Sequence, residues 1–183
     1  EILARTGDFH ALCGRLHRAV DLYEKSIALQ PALDGVRETL ALALVLLGQN
    51  DRAAELLTKI VAENPVNLAA YDQLSKIHLL RGEFERAAAS MRQALLLAPI
   101  DPRRHEEIIR TSLRAGDLAG ALQAATEAET KFPYLTGFSV LRAITLSQTG
   151  NHAASMMAFE RALVTAANSN PELLDNDFFL SYG

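Results

Sequence analysis

Tryptophan is absent and cysteine occurs once, as Cys13, so no disulfide can form within the chain and a disulfide-stapled scaffold is excluded. A lone thiol is compatible with a reducing compartment without establishing one. Basic excess is lacking too. Eighteen Lys and Arg stand against 22 Asp and Glu, giving a net charge of −4, the wrong sign for a surface that holds phosphate backbones. Nucleic acid is therefore not expected as a partner. No apolar run approaches the roughly 20 residues of a membrane-spanning helix, and no basic-then-apolar leader opens the chain. Direct membrane insertion is not expected, and nothing chooses between a cytoplasmic and a periplasmic location. Phosphate-cradling glycine loops, GxSxG, HExxH and the dinucleotide fingerprint are all missing. The start at Glu1 rather than Met reads as a piece cut from something longer.

What the chain has is a period. Glycine recurs at Gly14, Gly48, Gly82, Gly116 and Gly150, and proline at Pro31, Pro65, Pro99 and Pro133, each 34 residues after the last. Five positions after each glycine stands a small residue: Ala19, Ala53, Ala87, Ala121 and Ser155. Apolar residues recur at helical spacing before the glycine, as in LAAYDQLSKIHLLRG, and after it, as in FERAAASMRQALLLAP. A glycine at the turn supplies positive φ, and a proline after the second helix cannot continue it. No β-type alternation competes. Two helices per unit, and an all-α chain, are expected.

These residues resemble the tetratricopeptide repeat, a 34-residue helix–turn–helix unit. Repeat 3 carries Tyr71, Leu74, Ser75, Gly82, Ala87, Ala94 and Pro99 at the family's packing and turn positions, and repeat 1 carries Gly7, Gly14, Ala19, Tyr23 and Pro31. Repeat 4 has Ile109 where a small residue is expected. Repeat 5 lacks its terminal proline until Pro171, so VTAANSNP is expected to be an extended turn. The repeats run 1–33, 34–67, 68–101, 102–135 and 136–173. A partial sixth at 174–183 opens with Phe178, Phe179, Leu180, Tyr182 and Gly183. The resemblance implies one right-handed superhelical α-solenoid of antiparallel helix pairs over 1–183, with neighbour-only contacts. An exposed half-repeat would be an aggregation liability, so more repeats or another domain are expected beyond Gly183.

In the family, the first helix of each repeat lines a concave groove. That explains an oddity at ETLALALVLLGQ, where eight consecutive residues from Leu40 to Leu47 are apolar. On this reading Leu40, Ala41, Leu44 and Leu47 face the core, while Leu42, Val45 and Leu46 face the groove. Leu79 and Leu80 continue the stripe in repeat 3, and Leu12 begins it in repeat 1. Asp72 and Lys76 lie between the stripe and an arginine cluster, Arg103, Arg110 and Arg114, which stands beside Glu106 and Glu107. Such a groove suits a peptide with apolar anchors and at least one carboxylate, which arginine binds in bidentate fashion. Two plainer accounts compete: the superhelical twist covers Leu42 and Leu46, and the arginines pair with Glu106 and Glu107 on a solvated face. The clamp by which some relatives grip the C-terminal carboxylate of chaperones is not matched. Ala4, Asp8, Thr39, Ala69 and Gln73 stand at its positions, and a frame shifted by one repeat places Glu38, Leu42, Gln73, Arg103 and Glu107 there.

Chemistry-bearing residues are scattered. His10, His17, His78, His105 and His152 have no metal-ligand spacing, and His10 and His78 occupy a packing position. Cys13 is expected to be an inert, partly buried thiol. No catalytic residue, metal ligand or cofactor is expected. A helical-repeat RNA reader of similar period would need a basic groove, where repeat 2 offers Leu and Val. The resemblance thus implies a non-catalytic scaffold that binds a peptide or helix of a protein partner in its groove. Its alanine-rich repeats look bacterial in style, in keeping with a multiprotein or envelope-assembly system. Two other readings stay open. One is the substrate-recruiting arm of a larger enzyme such as a glycosyltransferase. The other is self-association into a homo-oligomer through the apolar stripe or the open C-terminal end.

Overall fold

A 34-residue unit has room for two helices of three to four turns and two short connections. The computed structural model, which describes residues 1–31 and 34–169, holds ten α-helices among those residues and no strand. The first helices of the five repeats are α1 (Ile2–Leu12), α3 (Asp34–Leu46), α5 (Leu68–Leu80), α7 (Pro102–Arg114) and α9 (Thr136–Gln148). The second helices are α2 (Leu16–Leu29), α4 (Asn50–Glu63), α6 (Phe84–Leu97), α8 (Leu118–Lys131) and α10 (His152–Ser169).

The periodic residues fix where these helices stop. Gly48 has φ 72°, a left-handed conformation that a side chain makes costly. Its amide donates to the Val45 carbonyl at 2.9 Å, and that of Gln49 to Leu44 at 2.8 Å. This Schellman pair satisfies carbonyls that the last turn of α3 leaves unpaired. The same pair of bonds closes α1, α5, α7 and α9 at their glycines. The second helices stop differently. Asn64 leaves the helical region, with φ −131° and ψ 84°, because Pro65 follows it. Where no proline stands, the helix runs on. In repeat 5 α10 continues to Ser169, so the extended turn expected over VTAANSNP is corrected to helix as far as that residue. Asn170, Pro171 and the partial sixth repeat lie outside the described residues.

Small residues let the paired helices approach. Ala19, Ala53, Ala87 and Ala121 are fully buried, and Ser155, at the same place in α10, donates from Oγ to the Ala143 carbonyl of α9 at 2.8 Å. A second rule emerges at the contact between first and second helix. The Tyr23 ring lies against Gly7. The residues at the corresponding positions are Ala41 and Leu57, Ser75 and Met91, Ile109 and Ala125, and Ala143 and Phe159, all buried except Phe159, which is 39% exposed. One partner is small whenever the other is large. Ile109 therefore fits without strain: it shares a buried cluster with Ala125 and Ala128.

The chain divides into two compact units, Glu1–Ala98 with α1 to α6, and the residues from Pro99 on with α7 to α10. Within each unit consecutive helices pack together, and first helices also touch one another, α3 with α5 and α7 with α9. Tyr23, Leu44, Leu57, Ile60 and Ile77 anchor the core of the first unit. In the second, Phe132, Phe138 and Leu141 join the Ile109 cluster. Glu129 of α8 ties this unit together, accepting from Ser139 Oγ at 2.8 Å and from Arg142 at 2.9 Å on α9.

Candidate functional site

In the first unit the neighbouring helices α3 and α5 carry most of the residues that sequence assigned to a groove. Helix α3 is apolar on two sides. Leu40, Ala41, Ala43 and Leu44 are buried, and Leu47 is packed against them. Leu42 and Leu46 keep 43% and 62% of their surface in water, and Leu80 of α5 keeps 71%. Val45 is different: it is partly buried and packs on the core. Leu79 is half-buried, as is Asp72, while Lys76 is exposed. Leu12, at the end of α1, is almost wholly exposed. The polar start of this face is ordered by Asn67, whose Oδ1 caps α5 by accepting from the Ala70 amide at 2.9 Å. Its Nδ2 donates to Glu38 of α3 at 2.5 Å.

In the second unit the face of α7 carries the arginines. Arg110 donates to Glu106 at 2.9 Å, one turn back along the same helix. Arg103 and Arg114 are exposed, and neither forms an ion pair among the described residues. Between the opening turns of α7 and α9 lies a pocket of about 470 Å³. Its apolar part comes from Phe138 and Leu141 of α9 and from Tyr134 and Leu135 just before it, while Arg103 and Glu106 supply its charges. Phe138 and Leu141 are buried, whereas Tyr134 is 66% exposed. Tyr134 meets Phe132 edge-on, with ring centroids 6.5 Å apart.

Sequence reasoning did not find this pocket, because it assigned no groove residue in repeat 5, and Tyr134 stands before the first helix of that repeat. The signal was present as three aromatic residues, Phe132, Tyr134 and Phe138, within one short stretch. Nor did it single out His105, which is 4% exposed and packs edge-on against Phe132 and Phe138. Burial pushes the imidazole pKa of His105 below its ordinary value, opposed by a hydrogen bond to the Pro99 carbonyl.

Tyr23 donates to Asp8 at 2.8 Å, and burial, then this bond, push its phenol pKa up. His78 is half-buried and bonded to Glu83 at 2.6 Å. That bond, with Arg86 and Arg81 nearby, holds the Glu83 carboxyl below the usual range. Cys13, expected to be partly buried, is exposed. It caps the C-terminus of α1 one residue before Gly14, where the chain turns away from the core. Among the described residues, no group of three or more His, Cys, Asp or Glu is placed to hold a metal ion. No described helix is long and apolar enough to cross a membrane.

A family model described as tetratricopeptide repeat matches residues 38–105 and 73–136, together more than half of the chain. Among solved structures the chain is similar to a MamA protein, at 18% identity over 90% of each chain with a TM-score of 0.69. A MamA AMB-1 structure is 22% identical, over 98% of this chain and 95% of that one, with the same TM-score of 0.69. A MamA from Desulfovibrio magneticus RS-1 is 14% identical over 92% and 96% of the two chains, at a TM-score of 0.65. At such identities the likeness is one of fold, a tetratricopeptide-type helical solenoid. No curated protein matches.

Proposed function

The chain belongs to the tetratricopeptide repeat family, and from that premise we propose that it is a non-catalytic scaffold. It holds a peptide or helical segment of a protein partner against the faces of its first helices. The observation that carries this reading is the double apolar character of α3. Leu42 and Leu46 stay in water although the core side of the same helix is complete without them. Exposed leucines cost nothing singly. With Leu80 exposed on α5, a helix that touches α3, they give a partner apolar anchors of the kind seen in helix-in-groove and extended-peptide recognition. Within the first unit Lys76 of α5, with Asp72 on the same helix, supplies charge for an acidic segment; within the second, Arg103 and Arg114 of α7 do so, with Arg110 on the same helix. The alanine-rich repeats suit the bacterial envelope-assembly setting raised above.

The test is the double variant Leu42→Glu/Leu46→Glu. Both side chains are exposed, so the fold should persist. Light scattering coupled to size exclusion reads the mass, and co-purification with the partner reads binding. Loss of the partner with an unchanged monomeric mass supports the scaffold. A wild-type dimer that the variant converts to a folded monomer would instead make the stripe a self-association surface.

A further inference from the structure

We propose that the pocket between the opening turns of α7 and α9 is a subsite for an aromatic side chain flanked by a side-chain carboxylate, both carried by the partner's peptide. This deepens the reading of the first-helix faces as partner-binding and rests on it.

Volume and lining select the aromatic group. About 470 Å³ lies in the range of pockets that enclose a small ligand, enough for a ring and the peptide unit that bears it. Its inner wall, Phe138 and Leu141, is apolar and already held in the core cluster, so it needs no rearrangement to receive a ring. At the edge stands Tyr134, exposed yet braced edge-on against Phe132. A braced ring meets an incoming aromatic at little entropic cost.

Charge selects the neighbour. Of the two ionised groups in the lining, Glu106 is occupied by Arg110. Arg103 has no carboxylate partner among the described residues. The pocket thus offers one unmatched positive charge beside an apolar wall, which fits an anion and disfavours a cation. Guanidinium geometry favours a carboxylate in particular.

The experiment titrates the full chain with two capped peptides, acetyl-Gly-Phe-Glu-Gly-amide and its Phe-Gln counterpart, followed by NMR chemical-shift mapping at neutral pH. The Phe-Glu peptide should bind saturably, moving the Gly137 and Leu141 amides and the Tyr134 ring signals. The Phe-Gln peptide should bind roughly two- to fivefold more weakly, as should Phe-Glu to Arg103→Gln. Phe-Gln should not distinguish wild type from Arg103→Gln, which identifies Arg103 as the group that reads the carboxylate. Tyr134→Ala, a change at an exposed side chain, should weaken both peptides. Equal binding of the two peptides, shifts that map elsewhere, or no saturable shift up to about 10 mM would overturn the proposal. Its failure is separable from that of the scaffold reading: partner loss in Leu42→Glu/Leu46→Glu with no peptide binding here leaves the scaffold standing and removes the pocket.

Discussion

The Tyr23 ring fills the space that Gly7 leaves open: a Cβ built on Gly7 would stand 2.6 Å from Tyr23 Cε1. At the corresponding positions of the later repeats one residue is again small where the other is large, and Ile109 and Ala125 share a buried cluster. Gly7→Ala should therefore destabilise the first unit by about 1–3 kcal/mol through overpacking. Urea unfolding of the single variant and of Gly7→Ala/Tyr23→Leu measures it. The double variant should recover part of the loss, since a smaller partner makes room for the methyl.

The opposite trade holds in repeat 4. Ile109 is fully buried among Ala125 and Ala128, so Ile109→Ala should open a cavity and cost about 2–5 kcal/mol. Adding Ala125→Leu to that variant should restore much of the stability, whereas Ala125→Leu alone should overpack and destabilise. A double-mutant cycle reads the coupling. Strict additivity would contradict the size rule.

Most of the fold was legible in the sequence, because the residues that end helices act locally. Glycines at positive φ and prolines after the second helices work through their own backbone, and a fixed period exposes them. The size trade was not legible along one repeat, since Ile109 looks misplaced until Ala125 is brought beside it. The candidate site divides in the same way. Exposure of Leu42 and Leu46 followed from an apolar run too continuous for one helix face. The pocket depends on where Tyr134 and Phe138 meet the start of α7, and helical periodicity carries no record of that meeting.

Gly48→Ala should lower stability by about 1–2 kcal/mol, because the residue would have to hold φ 72° with a Cβ. No atom lies within 4 Å of the added carbon, so the cost is conformational alone. Thermal melts followed by circular dichroism would show it, and Asn at the same position should cost less, since Asn visits this region more readily.

Acid should loosen the second unit through His105. Its folded pKa lies below the ordinary 6.5, so the unfolded chain binds more protons and stability falls as pH drops through 6.5. The loss is complete once pH is below the folded value. Lys131 adds to the depression, while Glu127 and Asp101 oppose it. His105→Phe should flatten this part of the pH dependence of unfolding. An unchanged slope between pH 7 and 5 would show that another group is responsible.

The claim that the first-helix faces receive a partner segment is tested most directly by photo-crosslinking in cells of the source organism. A benzophenone amino acid is placed at Leu46, at Leu80 and, as a control, at the exposed Glu55 of the second helix α4, and adducts are identified by mass spectrometry. The account predicts one protein partner, joined through the same short segment at Leu46 and Leu80 and absent at Glu55. Adducts at Glu55 alone, or the same adducts at all three positions, would contradict it.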